Sequence, residues 1–312
     1  MRLFTVALCI TLLSLTCVQA QQVSSRKPSG LILSTGNLYF TSHDAAGAAV
    51  WRTSQTSVPG QESILYWEQG AKFGDIVFAQ VNGVFFGYFF AEKGGVISIK
   101  RVPLSGGNAI TLANVTSIDI ANSRRNLLTD GINLYWQDAD SVNKMPVGGG
   151  AVTVLDQTTP STPTAGILLQ NNRIIYASVD KIIAVPTGGA ITSPLVRTLA
   201  TAGSRVTALH AGPDGIYWGE QNGAVRRKNG SVITTLATSG PIATSISTDA
   251  ILAPPRGWTQ CASSACQLRV DLLTGNGSTA IGSDALGLSV RSSGGNVLMF
   301  WGDAAGVHRK RF

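Results

Sequence analysis

The stretch DGINLYWQDADSVNKMPVGGGAVTVLDQ, Asp130 to Gln157, decides how the chain is read. It opens on an Asp130-Gly131 turn, runs through a short apolar strand ending in Tyr135-Trp136, and crosses a polar loop holding Asp138 and Asp140. A second strand over 142–147, a glycine turn at 148–150 and a third strand over 152–155 follow. Strands of about 4–6 residues divided by turn residues predict antiparallel β structure rather than helix.

Working outward, variants of this unit fill the chain. An aromatic closes the second strand of each at Phe40, Phe86, Trp136, Tyr176, Trp218, Trp258 and Trp301. A period of roughly 40–50 residues with four short strands in each predicts an all-β chain folded as a β-propeller. One such sheet cannot cover both its faces, so neighbours must stack around an axis and close a ring. The count is seven blades of four antiparallel strands. Six is the alternative, because Pro254-Pro255 breaks the strand spacing of the sixth unit. The seventh unit stops after three strands, and the spare segment 21–27 is expected to supply its outermost strand and close the ring.

Residues 1–20 read as a cleavable signal peptide: Arg2, then an apolar run from Leu3 to Leu15, then Val18-Gln19-Ala20, which matches the Ala-x-Ala cleavage pattern in part. The run is shorter than the ~20 residues of a membrane span. Lipidation at Cys17 fits poorly with Thr16 before it. The expectation is one propeller domain over 21–312, secreted or, in a bacterium, periplasmic.

Only 13% of the residues are charged and 35 are glycine, which suits tight-turned β structure and excludes a charge-rich disordered chain. The net charge of +7 would favour anionic partners. Most of the lysines and arginines are scattered, however, as on an ordinary solvated surface. The mature chain keeps two cysteines, Cys261 and Cys266, flanking the short loop ASSA. In an exported protein such a pair is placed to bridge two hairpin strands. A metal site is the poorer reading, since no histidine lies nearby.

At the second-strand ends the chain reads Tyr135-Trp136-Gln137-Asp138, Tyr217-Trp218-Gly219-Glu220 and Phe300-Trp301-Gly302-Asp303. This resembles the YWTD repeats of secreted and receptor β-propellers. Arg101-Val102-Pro103-Leu104-Ser105-Gly106-Gly107 and Lys144-Met145-Pro146-Val147-Gly148-Gly149 are similar to the VPLxGG turns of extracytoplasmic, TolB-like bacterial propellers. In the other units Ser42, Ser178 and Gln260 stand where the acid would be. The resemblance implies that the acids Asp138, Glu220 and Asp303 tether blades, and that Trp136, Trp218 and Trp301 pack between them.

Little in the chain announces catalysis. The three histidines, His43, His210 and His308, fall in distant units, and no HxxxH, CxxC or GxSxG arrangement occurs. Asp119, Asp180, Asp249 and Glu68 are the carboxylates that could line a channel as in metal-dependent propeller lactonases. The segment Ser42-His43-Asp44-Ala45-Ala46-Gly47 before Trp51 loosely matches a sialidase Asp-box, a structural hairpin.

Two basic clusters, Arg226-Arg227-Lys228 and His308-Arg309-Lys310-Arg311, fall on third strands and offer either a charged strand that blunts edge pairing or an anion-binding patch. Asn114, Asn229 and Asn276 head glycosylation sequons, used only in a eukaryote. The expectation is a monomeric, non-enzymatic propeller without cofactor or metal. It would bind an extracellular protein or glycan, not nucleic acid, through the loops after the aromatic pairs. The binding candidates are Asp138, Asp140, Glu220, Asp303, Arg226 and Arg227. A channel-centred metal-dependent hydrolase or lactonase is the alternative.

Overall fold

The computed structural model describes residues 21–311 except 35, 119, 121–125, 158–164, 189–196, 213, 239–241, 249–255, 263–264, 272–278, 284–286, 294–295 and 304–305. At Gln21, Leu33 and Arg197, at the described positions within 242–299 and at a few later ones it gives the backbone alone. The expected signal peptide, Asp119, Asp249 and Asn276 lie outside the described residues.

The chain begins with β1 (Gln21–Ser24). Then come β2 (Gly30–Ser34), β3 (Asn37–His43), β4 (Gly47–Ser54) and β5 (Ser63–Gln69), which form one antiparallel sheet in that order. The same up-and-down pattern repeats in β6 (Ala71–Val81), β7 (Val84–Lys93), β8 (Val96–Pro103) and β9 (Ile110–Val115), and in β10 (Leu127–Thr129), β11 (Asn133–Gln137), β12 (Ser141–Pro146) and β13 (Thr153–Gln157). It continues through β14 (Ile167–Gln170), β15 (Arg173–Ser178), β16 (Lys181–Pro186) and β17 (Arg197–Thr201). The next sheets are β18 (Val206–Gly212), β19 (Gly215–Glu220), β20 (Val225–Asn229) and β21 (Val232–Ala237), then β22 (Ile242–Thr248), β23 (Arg256–Ala262), β24 (Ala265–Asp271) and β25 (Thr279–Ser283). Finally β26 (Gly287–Ser293), β27 (Asn296–Asp303) and β28 (Gly306–Arg311) take β1 as their fourth strand.

The protein is a β-propeller of four-stranded antiparallel blades. The first strand of each sheet packs on the first strand of the next, from β2 to β6 and onward, and β26 returns to β2.

Stacking explains why the second strands are apolar without alternation. Leu134, Tyr135 and Trp136 are consecutive and all buried. Leu134 and Trp136 join Tyr88, Phe90 and Ile99 of the preceding sheet, while Tyr135 joins Tyr176 and Val185 of the following one. Each sheet therefore lends alternate side chains to two cores, and both its faces are dry.

A repeat unseen in the sequence lies in the ladders. Between the third and fourth strands the register slips at Val50/Trp51, Ile99/Lys100, Val142/Asn143, Ile182/Ile183, Val225/Arg226 and Leu268/Arg269. The first residue of each pair is aliphatic, and Val50, Ile99, Val142, Ile182 and Val225 are fully buried. The extra residue is on the fourth strand (Leu65, Leu112, Leu155, Leu199, Leu236 and Ile281), and the third-strand residue just after the slip faces the second-strand aromatic, as Asn143 faces Trp136 and Arg226 faces Trp218. A bulge adds twist, which every blade of a propeller needs.

β1 obeys the same rule: Gln22 pairs with His308 and Ser24 with Val307, a slip between the buried Val307 and His308, and it is His308 that faces Trp301. β1 is thus a true outer strand in a ladder like the others. The register also corrects one expected repeat position. Lys100, the third-strand residue just after the slip in its sheet, faces Phe89, so the counterpart of Trp136 is the fully buried Phe89, not Phe86. Phe86 sits near the strand start, with Arg101 over its ring at 4.8 Å.

Candidate functional site

Antiparallel topology gives the disc two rims. The loops between second and third strands share one with the links between sheets, and the two remaining hairpin turns share the other.

On the first rim the loop Asp138–Ser141 is built by its own acid. Asp138 is buried; its carboxylate accepts from Ser141 N (3.1 Å), Ser141 Oγ (2.6 Å), Asn143 Nδ2 (3.1 Å) and, more weakly, Thr116 Oγ1 of the incoming link (3.4 Å). Burial pushes its carboxyl above the ordinary aspartate value, against the Ser141 bonds and with help from nearby Asp140. Asp140 itself is exposed at the loop tip. A cavity of about 360 Å³ opens beside it, lined by Asp140, Ser141, Val154 and Gln157.

Glu220, fully buried, takes Trp218 Nε1 at 3.0 Å and Gly203 N, in the link from the preceding sheet, at 3.1 Å. Arg226 Nε lies 2.8 Å from the same carboxylate. One methylene shorter, Asp138 turns to its own loop, and the indole N–H of buried Trp136 meets no acceptor among the described residues. In the first sheet Ser42 stands in the acid's place and accepts from Trp51 Nε1 at 2.8 Å. Asp303 lies at the end of β27, where the backbone alone is described.

The second rim carries a series of cross-blade clamps. A cation on the third strand, paired across the ladder with a second-strand aromatic, reaches the turn of the next sheet. Arg101, opposite Tyr88, donates to Val147 O (3.3 Å) and Gly148 O (3.4 Å), and Tyr88 Oη donates to Val147 O at 3.0 Å. Lys144, opposite Tyr135, donates to Thr187 O at 2.8 Å. Arg309, opposite Phe300, donates to Gln55 O of the first sheet and so spans the closure of the ring.

Arg227, opposite Tyr217, ion-pairs with Asp214 at 2.6 Å, and Tyr217 Oη donates to the same carboxylate. Burial pulls the guanidinium's pKa down, but hydrogen bonds and charge from Asp214 and Tyr217 together outweigh it and the pKa is raised. Arg226 and Arg227 thus face acids of their own sheet. Their strand and β28 are paired on both sides, which corrects the expectation of an exposed charged edge.

The clamp is not in every sheet: β23 and β24 pair Gly257 with Val270 at this position, and Arg227 turns to Asp214 of its own sheet. In β15 and β16 the corresponding pair is Ile175 and Ala184. Where a cation would cross to the next sheet there is a cleft of about 370 Å³. Its floor includes Ile175, Ala184, Leu199 and Ile216, and its rim Asn171, Arg173, Asp214, Lys228 and Asn229. Asn171 and Asn172 both have positive φ, as a two-residue hairpin turn needs. Gly215 is required on the far wall, because a Cβ there would meet Lys228 O.

The remaining candidates are scattered. Glu68 lies on β5, the outermost strand of its sheet, in ion pairs with Lys100 (2.6 Å) and Lys93 (3.2 Å), so it does not converge on a channel. Asp180 sits in the β15–β16 loop. His43 Nδ1 is 2.9 Å from Ser29 Oγ, and His308 stacks on Trp301 at 5.5 Å. Asp44 Oδ1 accepts from Ala46 N and Gly47 N, the hairpin-capping role expected of the Asp-box-like segment. Among the described residues no group of three or more His, Cys, Asp or Glu is placed to hold a metal. No described helix is long and apolar enough to cross a membrane. Cys261 and Cys266 are direct backbone partners across β23 and β24. Asn114 and Asn229 are exposed.

No protein-family profile matches the chain, and no curated protein does. Solved structures do. The chain is similar to one in a nidogen/laminin complex, with TM-score 0.54 and 14% identity over 79% of this chain and 92% of that one. It is similar to the WD40 β-propeller domain of Doa1 (TM-score 0.61, 12% identity, 95% and 97% covered). It also matches the extracellular domain of the one-component system BT4673 from B. thetaiotaomicron (TM-score 0.63, 11% identity), covering 94% of this chain and 40% of that one. At such identities these likenesses establish the propeller fold.

Proposed function

We propose that the chain is an exported, non-enzymatic propeller of seven blades that binds a protein or glycan partner through the loops after the aromatic pairs. The blade count is supported by the circuit of innermost strands and by the bulge that recurs in the β1–β28 ladder. Export is supported by the apolar leader 1–20 and by the backbone pairing of Cys261 with Cys266 across two antiparallel strands, a register compatible with a disulfide. Kinship with YWTD-repeat propellers is supported by the aromatic-pair motifs and by the likeness to a chain of the nidogen/laminin complex, itself a protein–protein assembly.

The observation that carries the binding reading is the loop 138–141. A buried acid fixes its backbone from beneath, while Asp140 and a cavity of about 360 Å³ face outward. A prefixed loop on a rigid scaffold loses little entropy on binding, which is what recognition favours. The test is a glycan and extracellular-protein binding screen of the mature domain at two salt concentrations, repeated with Asp140→Ala. Binding that weakens with Asp140→Ala supports the reading; partners that ignore this rim overturn it.

A further inference from the structure

The first sheet carries a cleft of about 180 Å³ near the rim that also holds the loop 138–141. Trp67 and Ile64 of β5, Ser42 near the end of β3, Asp44 in the loop after it and Arg26 in the link after β1 line it, together with Trp51. Unlike the aromatics of the second strands, Trp67 belongs to no buried core. It is 50% exposed on the outermost strand of its sheet, and Ile64 of the same strand is 55% exposed. The residue paired with Trp67 across the ladder is Ala49, whose single methyl leaves room beside the indole.

One exposed tryptophan is ordinary on a protein surface. What distinguishes Trp67 is the set of polar groups around it that still have hydrogen-bonding positions open. The Arg26 guanidinium lies 3.9 Å from the Trp51 ring centre and is steadied by that contact, and among the described residues no carboxylate pairs with it. Asp44 gives Oδ1 to the Ala46 and Gly47 amides, which leaves Oδ2 open. Ser42 Oγ accepts from Trp51 Nε1 and keeps its own proton to donate. Each group is held by the fold, so a ligand would find them already in place.

The mixture of charges selects the ligand. An anion drawn to Arg26 meets Asp44 in the same small space, and a cation drawn to Asp44 meets Arg26. A neutral polyhydroxylated ring suits both, because each hydroxyl donates and accepts while a C–H face covers aromatic surface. The volume is below the ~300 Å³ at which pockets for drug-sized ligands begin, and it suits a single ring.

We propose that this cleft is a subsite for one neutral sugar residue of a glycan. The ring lies against Trp67, one hydroxyl donates to Asp44 Oδ2, and another oxygen accepts from Arg26. The proposal rests on the reading of the chain as a scaffold that binds through this rim, and narrows the partner at the first sheet to a neutral glycan.

The test titrates the mature chain calorimetrically with neutral hexose and N-acetylhexosamine oligosaccharides, with hexuronate oligosaccharides and with proline-rich peptides. Each is run at about 50 and 300 mM salt, where screening exposes charge-driven binding. A neutral oligosaccharide should bind saturably, with the same affinity at both. Trp67→Ala should weaken it at least about tenfold and leave the melting temperature unchanged. Asp44→Asn keeps Oδ1 for the two amides but turns an NH2 outward in place of Oδ2. It should weaken binding about tenfold as well, and it carries the test should Trp67→Ala fail to fold. Asp140→Ala, two sheets away, should leave the affinity for a short oligosaccharide unchanged.

Binding of hexuronates alone, of peptides alone or of no ligand, or binding indifferent to both substitutions, overturns the proposal. A partner that needs Asp140 yet ignores Trp67→Ala and Asp44→Asn would leave the reading of loop 138–141 standing and sink this subsite. Neutral-sugar binding that needs Trp67, in a screen where nothing needs Asp140, would uphold the subsite and sink that loop.

Discussion

Glu220 and Asp138 occupy the same repeat position and do different work, and the difference is one methylene. Glu220 reaches back to the Trp218 indole and to the link from the previous sheet, and it lies fully buried beside Arg226. Glu220→Ala strands three polar groups at once, so it should cost about 3 kcal/mol. Glu220→Gln keeps an acceptor for Trp218 and should cost clearly less; urea unfolding of the two variants checks the order. Charge at Glu68 works with the opposite sign from that at Asp138. Burial lifts its pKa, but Lys100, the Tyr66 hydroxyl and Lys93 outweigh it, and the carboxyl titrates below its ordinary value of 4.5. The folded state thus holds the proton less tightly than the unfolded chain. This stabilisation is complete above about pH 4.5 and is lost as pH falls through the depressed folded value. Glu68→Gln should lower stability at neutral pH by about 1 kcal/mol or less, the pair being partly solvated, and flatten that acid limb. The same carboxylate, after burial, pushes the Tyr66 hydroxyl up to about 12. Absorbance titration should find one tyrosine there that returns toward its normal value in Glu68→Gln.

The strands themselves were legible, because the signals that set them are local. Gly and Asn turns divide apolar runs, and Tyr135-Trp136, Tyr217-Trp218 and Phe300-Trp301 mark the same strand in three sheets. Phe86 misled for a local reason too: β7 is ten residues long and carries four phenylalanines, so only the ladder shows that Phe89 faces the bulge. The clamps were half legible. Arg101 and Lys144 stood out beside their glycine turns, but their acceptors are backbone carbonyls some forty residues on, which no side-chain pattern reports. For the same reason the gap at Ala184 reads in the sequence as an ordinary small residue in a strand. If the clamps hold neighbouring sheets together, Arg101→Met and Lys144→Met should each cost about 1 kcal/mol, the net worth of hydrogen bonds to a charged donor at a half-buried site. Acting at different interfaces, they should add in the double variant to within about 0.5 kcal/mol. Equilibrium unfolding of the single and double variants checks both numbers; no change in either single variant would mean that the contacts are incidental.

A ring has to be closed, and here, besides the packing of β26 on β2, three further contacts join the two ends of the chain. β1 completes the ladder of β28. Val23, fully buried, packs with Leu38, Phe40 and Trp51 of the first sheet and Phe300 and Val307 of the last. Arg309 reaches the Gln55 carbonyl across the same seam. Across the seam these contacts join residues about 250–290 positions apart, so the loop entropy of closure must be met before any of them forms, and little local structure helps. Removing residues 21–27 should therefore open the disc at one seam while leaving every other sheet its full complement of strands. The losses are about 1 kcal/mol for each ladder bond and about 2 kcal/mol for the valine. Together they predict a fall of about 4 kcal/mol, and a melting temperature lower by about 8–16 °C for a domain of this size. Val23→Ala isolates the packing share and should cost about 2 kcal/mol by itself. Thermal unfolding of the mature chain, the truncated chain and Val23→Ala decides the matter. A truncated protein as heat-resistant as the parent would show that β1 only decorates the last sheet and that the ring holds shut without it.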